Sequence, residues 1–158
     1  TRELLKPATH PTGSLGGFIA GPGVLIDTIR NTGRPYIYTT ALPPALCAAA
    51  LASLSIIRDD PQRRVRLGEL SARLRERLHG AGISTGDSAT QIIPVPIGSP
   101  SRALAVSRTL FEAGYLIPAI RPPTVAPNTS RLRVSLTSGH TQEQVDALAD
   151  LLPPLMGR

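Results

Sequence analysis

The sequence has very few aromatic residues and cysteines. Its 158 residues include no tryptophan, three tyrosines, two phenylalanines and one cysteine, Cys47. So few aromatic side chains argue against a surface that stacks on single-stranded bases. A single cysteine excludes an internal disulfide and favours a reducing compartment, so we expect a cytoplasmic protein. The most apolar stretch, 45–57, is shorter than the ~20 residues that a membrane span needs. We therefore expect no contact with a membrane.

Lysine is also scarce, although the chain is basic. Lys6 is the only lysine among seventeen basic residues, and the formal net charge is +6. A lysine-dependent reaction therefore has one candidate. Many of the arginines lie between Arg58 and Arg77, where they alternate with aspartates and glutamates as on a solvated helix face. Nucleic-acid binding through this segment is the lesser alternative, and it would weaken steeply with salt. We predict no metal site and no nucleic-acid partner.

The amino-terminal third predicts a short strand, a second strand and a long helical element. A glycine-rich loop from Thr9 to Gly23 surrounds a short buried strand at 18–20, and the β-branched and aromatic run at 36–40 predicts another strand. Pro43-Pro44 then opens a helix with an apolar face at Leu51, Leu54 and Ile57, on which Cys47 is expected to be buried. After a kink at Pro61, leucines at 67, 70, 74 and 78 predict a second helix that ends near Gly80.

The remainder alternates strands and helices. Gln91–Ile97 predicts a strand, and its two prolines place it at a sheet edge or make it irregular. A helix follows from Ser99-Pro100 to Gly114, with Leu104, Ser107 and Phe111 on one face, and then two short strands at 116–120 and 132–136. The last helix starts at Thr141, with Gln144 completing a capping box, and ends at Pro153-Pro154. This order predicts an α/β fold in which helices cover one face of a small sheet.

Three segments carry residue types that packing alone does not require. The first is the glycine-rich turn TGSLGG at 12–17, which lacks the spacing of the known phosphate-binding loops. The second places Thr39 and Thr40 between a predicted strand and a helix start, a common ligand position that could also simply satisfy the backbone. In the third, Arg131 and Arg133 share one face of a strand, opposite Leu132 and Val134, so one of them is available to bind a carboxylate or to face solvent.

In this order and spacing the segments GSLGGF, RPYIYTTALPPA, AIRPPTV and RLRVSLTSGHT resemble the carboxy-terminal half of the α-oxoamine synthases. These are fold-type I pyridoxal-phosphate enzymes, and the resemblance covers the chain from about Thr9 to Leu152. It is strongest to the members that condense alanine with a pimeloyl thioester in biotin synthesis, chiefly through AIRPPTV and RLRVSL. The resemblance implies a small carboxy-terminal α/β domain, together with strands and a linking helix from the edge of the large domain.

The resemblance also implies a reaction and a set of site residues. An amino acid is acylated by an acyl-CoA with loss of carbon dioxide, on pyridoxal 5'-phosphate, in an active site at a homodimer interface. Arg133 would hold the carboxylate of the amino acid, and Thr124 and Arg121 would line the same pocket. Thr39 or Thr40 would reach the cofactor phosphate of the neighbouring subunit.

The chain departs from the family pattern at its amino end. His10 stands where the family has the lysine that attaches the cofactor, three residues before Gly13, and imidazole cannot make that attachment. Lys6 could substitute only with an altered loop. The other cofactor contacts of the family lie upstream, and the chain begins at Thr1, so a missing amino-terminal region is expected.

We therefore expect a part that is inactive alone, divided into a residual large-domain segment at 1–43, connecting helices at 44–82 and a small domain at 83–158. The alternative is a non-catalytic module that pairs with a full-length synthase.

Overall fold

The computed structural model describes the backbone of residues 6–7 and 17–157 and the side chains of residues 19–157. His10 lies outside these residues. The chain divides into two compact units, Thr1–Pro61 and Gln62–Arg158. The boundary falls inside the segment at 44–82 that the sequence predicts to connect the two domains, and each unit is described by itself.

The first unit contains a small hairpin and three helices. Strand β1 (Lys6–Pro7) pairs antiparallel with β2 (Gly17–Phe18), and the helices are α1 (Gly23–Thr32), α2 (Arg34–Ile37) and α3 (Pro44–Asp59). Proline opens both α2 and α3, where its missing N–H has no helical partner to lose. Among the described side chains none is buried in these helices.

The strand predicted at Tyr36–Thr40 is wrong. Arg34–Ile37 is a helix and Tyr38 is its carboxy-terminal cap, with its N–H donating to the Arg34 carbonyl. Aromatic and β-branched residues favour a strand only when a neighbouring strand and a packed face are present. Here Tyr36 and Tyr38 are 65% and 83% exposed. In the described part of the chain no packed strand surface therefore offsets the loss of the helical hydrogen bonds.

Two further predictions in this unit are corrected. The strand expected at 18–20 covers Gly17–Phe18 instead, and Ile19 is exposed. Helix α3 forms as predicted, but its apolar face is not buried, because Leu51 and Leu54 are exposed and so is Cys47. The small residues of α3 thus leave an apolar surface uncovered within the described part of the unit.

The second unit is a three-stranded antiparallel sheet with three helices. Its elements are α4 (Gln62–Gly80), β3 (Ile92–Gly98), α5 (Pro100–Glu112), β4 (Ala119–Ile120), β5 (Ser130–Ser135) and α6 (Gln142–Met156). The strand order is β3-β5-β4, which confirms that the proline-containing strand β3 lies at an edge. Strand β4 is shorter than the predicted run at 116–120 because only Ala119 and Ile120 pair with β5.

The core of this unit lies between the helices and one face of the sheet, as predicted for this fold class. Helix α4 contributes its leucine stripe and α6 contributes a stripe at three- and four-residue spacing, and both pack against β3 and β5. The central members are Leu74, Leu78, Ile93, Val95, Leu110, Leu132, Val145 and Leu152.

Local helix-start signals are confirmed. The Ser99 side chain accepts from the Arg102 N–H at the start of α5. At the start of α6 the Gln144 N–H donates to the Thr141 hydroxyl, and the Thr141 N–H donates to the Gln144 side chain. This reciprocal pair satisfies two of the four N–H groups that a helix start leaves open.

The buried face of α5 is Ala103, Val106 and Leu110, while Leu104 and Phe111 of the predicted common face are exposed. The prediction that α6 ends at Pro153-Pro154 is wrong, because the helix continues to Met156 and is capped by Gly157 in the left-handed conformation. Leu155 and Met156 pack against the core, which offsets the hydrogen bonds that the prolines remove.

Candidate carboxylate site on the open face of the sheet

The sheet has a second face, opposite the core, and β5 places two arginines on it. Residues along β5 alternate between buried and less buried, so Leu132 and Val134 point into the core while Arg131 and Arg133 point to the other face. We call this surface the open face. The predicted arrangement of the two arginines is confirmed.

The cross-strand register defines what surrounds the arginines. Arg133 is paired with Pro94, and Arg131 is paired with Pro96 on one side and with Ile120 on the other. Cross-strand partners lie on the same face of a sheet. Arg131 therefore has apolar cross-strand partners on both flanking strands, and Arg133 has one on β3.

The two guanidiniums differ in how they are held. The Nε–H of Arg131 donates to the Thr129 carbonyl oxygen at 3.1 Å, and the side chain is partly buried. The Arg133 side chain is exposed and makes no hydrogen bond or ion pair to the described residues, whereas its backbone N–H donates to the Pro118 carbonyl at 3.0 Å. Arg133 thus has an anchored backbone and a complete guanidinium fork, which suits bidentate binding of a carboxylate.

Arg121 and Thr124 lie in the loop that follows β4. Arg121 comes directly after Ile120, the residue paired with Arg131, and the Thr124 N–H donates to the Arg121 carbonyl at 3.1 Å. Both side chains are exposed. Arg121 thus follows the end of β4 that pairs with Arg131, whereas Arg133 lies opposite Pro118, and within the described residues no hydrogen bond joins Thr124 to either arginine of β5.

Acidic residues are missing from this region. Between residues 83 and 140 the sequence contains only Asp87 and Glu112. No ion pair of the described chain involves Arg121, Arg131 or Arg133. An anionic ligand on the open face would meet Arg131 and Arg133 without a competing carboxylate among the described residues.

The predicted cofactor-phosphate residues lie in the first unit. Thr39 and Thr40 follow α2 and are exposed, and the Thr39 hydroxyl donates to the Pro35 carbonyl. Neither residue caps a helix, because α3 begins after Pro43. Their role, like those of His10, Arg121, Thr124 and Arg133, stays a prediction.

Sequence reasoning missed an ion network between α4 and α6. Asp146 accepts from Arg73 at 2.7 Å and from Arg77 at 2.8 Å, and Arg77 also contacts Asp150 at 2.5 Å. Hydrogen bonds from Arg73 and then Arg77 hold the pKa of the Asp146 carboxyl well below its usual range. The signal was present in the sequence as two arginines and two aspartates, each pair four residues apart.

It also missed an apolar groove beside α5. This groove is lined by the exposed stripe of α5 and by the segment after it, including Leu104, Arg108, Phe111, Leu116 and Pro118. The predicted common face of Leu104, Ser107 and Phe111 is confirmed, and it lines this groove. In the described part of the chain no cluster of three metal-binding side chains occurs, and no helix is long and apolar enough to cross a membrane.

Comparison with known proteins assigns this architecture. The sequence model of aminotransferase class I and II matches residues 12–152. The 8-amino-7-oxononanoate synthase of Chromobacterium violaceum is 49% identical over 140 residues, which are 89% of this chain and 36% of that protein. The Hahella chejuensis enzyme of the same name is 46% identical over 145 residues, 92% of this chain and 37% of that protein.

Solved structures agree. Sphingomonas wittichii serine palmitoyltransferase has a TM-score of 0.80 at 29% identity, over 92% of this chain and 38% of its own. Serine palmitoyltransferase from S. paucimobilis, solved with a bound PLP–myriocin aldimine, has a TM-score of 0.83 at 26% identity over the same shares. The chain therefore spans little more than a third of the length of the relatives it matches.

The sheet, its covering helices and these similarities define the class: this is carboxy-terminal architecture of a fold-type I pyridoxal-phosphate enzyme. The chain belongs to the aminotransferase class I and II family, and its relatives include 8-amino-7-oxononanoate synthases.

The described residues do not by themselves fit the cofactor of this family. No lysine occurs between residues 19 and 157, and Lys6 is the only lysine of the whole sequence. The described chain does offer hydroxyls at Thr39 and Thr40 and a guanidinium at Arg133, which suit a phosphate and a carboxylate respectively. A carboxylate site is thus the chemistry that this chain supports from its own side chains.

Proposed function

We propose that this chain is the carboxy-terminal part of an 8-amino-7-oxononanoate synthase-like acyltransferase and that its contribution is to bind the amino-acid carboxylate. The family resemblance implies that such an enzyme condenses an amino acid, alanine, with a pimeloyl thioester, with loss of carbon dioxide. The observation that carries the proposal is Arg133. Its side chain projects from a paired strand on the open face and meets no acidic partner among the described residues.

Four further residues have proposed roles. Arg121 and Thr124 would line the pocket from the loop after β4, and Thr39 or Thr40 would contact the cofactor phosphate of a neighbouring subunit in a homodimer. These roles follow from the family resemblance. The exposed positions of all four side chains are compatible with ligand contact.

The chain alone is proposed to be inactive, because His10 takes the lysine position. We expect the purified chain mixed with pyridoxal phosphate to show only the absorbance of the free cofactor. A new visible absorbance band that disappears in Lys6→Ala would contradict this and would identify Lys6 as the attachment residue.

The carboxylate role can be measured without the cofactor. Propionate and alanine titrated into the labelled chain should shift the backbone and Nε resonances of Arg133, and Arg133→Gln should weaken binding about tenfold, since hydrogen bonds to charged groups are among the stronger ones. Arg108→Gln removes the same charge from α5, which packs on the core side of the sheet and not on the open face, and serves as the control. Equal losses in the two variants would show that net charge, and not Arg133, attracts the anion.

A second candidate function rests on the first unit. Among its described side chains none is buried, although α3 presents Leu51, Leu54 and Ile56. A non-catalytic module could use this apolar surface to pair with a full-length synthase. Co-purification with a lysine-containing relative, lost on Leu51→Asp, would favour this candidate.

A further inference from the structure

We propose that the exposed side of α5 is an interface for a second copy of this chain, in which two α5 helices pack antiparallel and each Phe111 enters the groove of the other copy. This inference goes beyond the proposed function and does not depend on it. A two-fold interface uses the same surface on both copies, so that surface must be complementary to itself. The exposed side of α5 meets this requirement in its shape and in its charge.

The shape consists of a projecting aromatic side chain beside an apolar groove. Phe111 is 64% exposed, and the groove next to it lies between α5 and the segment 116–118. Leu104 and Leu116, which line the groove, are 48% and 84% exposed. Exposed apolar side chains gathered in one place mark interaction sites, and aromatic residues are enriched at the centres of protein interfaces. One copy of the chain therefore offers both the side chain and the groove that receives it.

The charge consists of one arginine and one glutamate on the exposed side of α5. Arg108 and Glu112 lie about one turn apart, and neither makes an ion pair or a side-chain hydrogen bond with the described residues. Arginine ahead of glutamate at this spacing is the less favourable order within a single helix. In an antiparallel pair whose two-fold axis passes midway between these residues, Arg108 of each copy stands beside Glu112 of the other.

The same axis brings the apolar parts together. Phe111 lies one residue from the midpoint between Arg108 and Glu112, so the two copies of Phe111 are neighbours across the axis and each faces the groove of the other copy. An unrelated partner would have to supply an aromatic side chain and the two charges in reversed order. A second copy of the chain supplies all of them by symmetry, which favours it as the occupant of this surface.

The groove is already formed in the single chain. The Ser107 hydroxyl donates to the Ile117 carbonyl oxygen at 2.6 Å and so ties α5 to the segment that forms the other wall. On the opposite side of the helix, Val106 and Leu110 are buried in the core. Because both walls are held in place before binding, little conformational entropy is lost when a partner docks.

The surface is small for a protein interface. Helix α5 has 13 residues, so its exposed side is roughly 20 Å long and about 10 Å wide. A stable interface buries about 800 Å² on each partner, which is more than this surface offers. We therefore expect a reversible dimer that forms at micromolar or higher concentrations of the chain.

The first test is sedimentation of the whole chain over a concentration series from low micromolar to submillimolar. We expect the apparent mass to rise from one chain to two. Phe111→Asp should weaken self-association about tenfold or more, as is usual for an aromatic residue at the centre of an interface. Leu51→Asp places the same charge on the exposed apolar side of α3 and should dimerise like the original chain. Circular dichroism and thermal melts verify that both variants keep the fold.

The second test uses the charge pair and needs no apolar substitution. Arg108→Glu and Glu112→Arg each place like charges across the axis, so each variant alone should associate more weakly than the original chain. A mixture of the two variants restores opposite charges at both contacts and should form a heterodimer. The double variant Arg108→Glu/Glu112→Arg should recover self-association in the same way. This pattern is specific to an antiparallel two-fold pair of α5 helices.

Three results would overturn the inference. They are a chain that stays monomeric throughout the series, a mixture that associates no better than its separate variants, and a dimer lost in Leu51→Asp but kept in Phe111→Asp, which would assign the interface to α3. The proposed function is judged separately by anion binding at Arg133. Because α5 lies on the core side of the sheet, titrations at the open face report on a different surface.

Discussion

The arginines of α4 and the arginines of the open face have opposite surroundings. Arg73 and Arg77 meet Asp146 and Asp150 on the neighbouring helix, so their charges are compensated within the unit. Arg133 has no acidic partner among the described residues. The same residue type therefore serves the packing of two helices at one place and is available to an external anion at the other. The two groups of arginines differ in whether the surrounding fold supplies an acidic partner, and not in the number of arginines.

This comparison also bears on the nucleic-acid alternative. In addition to the pairs with aspartate, Arg75 donates to the Thr90 carbonyl at 2.7 Å and Arg66 donates to the His140 carbonyl at 3.1 Å. Much of the basic segment is thus engaged inside its own unit. An open basic surface for phosphate backbones would require those side chains to be uncommitted.

The largest effect should come from the core side of β5. Leu132→Ala removes a fully buried side chain between the helices and the sheet, and we expect it to lower the free energy of unfolding by about 2–5 kcal/mol. Arg133→Gln, one residue further along the strand, should leave it unchanged because its side chain is exposed. Denaturant unfolding of both variants measures the difference. Comparable losses would show that Arg133 is structural.

A smaller effect is expected at the paired arginines. Asp146→Asn removes the carboxylate shared by Arg73 and Arg77 and should lower the unfolding midpoint at pH 7, whereas Asp87→Asn, a carboxylate with no arginine partner among the described residues, should not. Thermal melts at two salt concentrations provide the measurement. The loss should shrink at high salt because exposed ion pairs are screened.

The same variant has a defined pH dependence. The pKa of Asp146 is lowered in the folded chain, first by Arg73 and then by Arg77, so its contribution is present above the ordinary aspartate value of 3.8 and is lost as the pH falls below it. The difference between the original chain and Asp146→Asn should therefore be full at pH 7 and decrease below pH 3.8. A difference that grows on acidification would refute the ion-pair explanation.

The smallest effect on stability is expected on the core side of β5, at the Ser130 hydroxyl. The Ser130 hydroxyl, at the start of β5, is fully buried and makes no hydrogen bond to the described residues. Removing a buried, unsatisfied hydroxyl costs nothing in hydrogen bonding, so Ser130→Ala should raise the free energy of unfolding by up to about 1 kcal/mol. A clear destabilisation would mean that the hydroxyl has a partner in solution. A missing hydrogen-bond partner is thus unfavourable for a hydroxyl in the core, whereas on the open face it leaves the Arg133 guanidinium available to a ligand.

The parts of the fold that could be predicted from the sequence are those that depend on interactions between residues close together in the chain. The Thr141 capping box, the helix opened by Pro44 and the alternation of Arg131 and Arg133 each depend on local geometry. The position of β3 at an edge followed from Pro94 and Pro96 in the same way.

The wrong predictions concern segments whose structure depends on packing against residues that are distant in the sequence. The aromatic run at Tyr36 forms a helix, and among the described residues no strand pairs with it. For the candidate site, the face that carries Arg133 was predictable from alternation. The surroundings of the Arg133 side chain and the hydrogen bond from Arg131 to the Thr129 carbonyl could be determined only from the three-dimensional structure.

The prolines of β3 have a consequence for association between chains. The pairs Ile93–Val134 and Val95–Leu132 direct the backbone groups of Ile93 and Val95 toward β5, so the groups of Pro94 and Pro96 face outward from the sheet. Those two positions have no N–H to offer. A strand from another molecule approaching this edge would find the middle donors missing, so the sheet ends at β3 and resists edge-to-edge aggregation there.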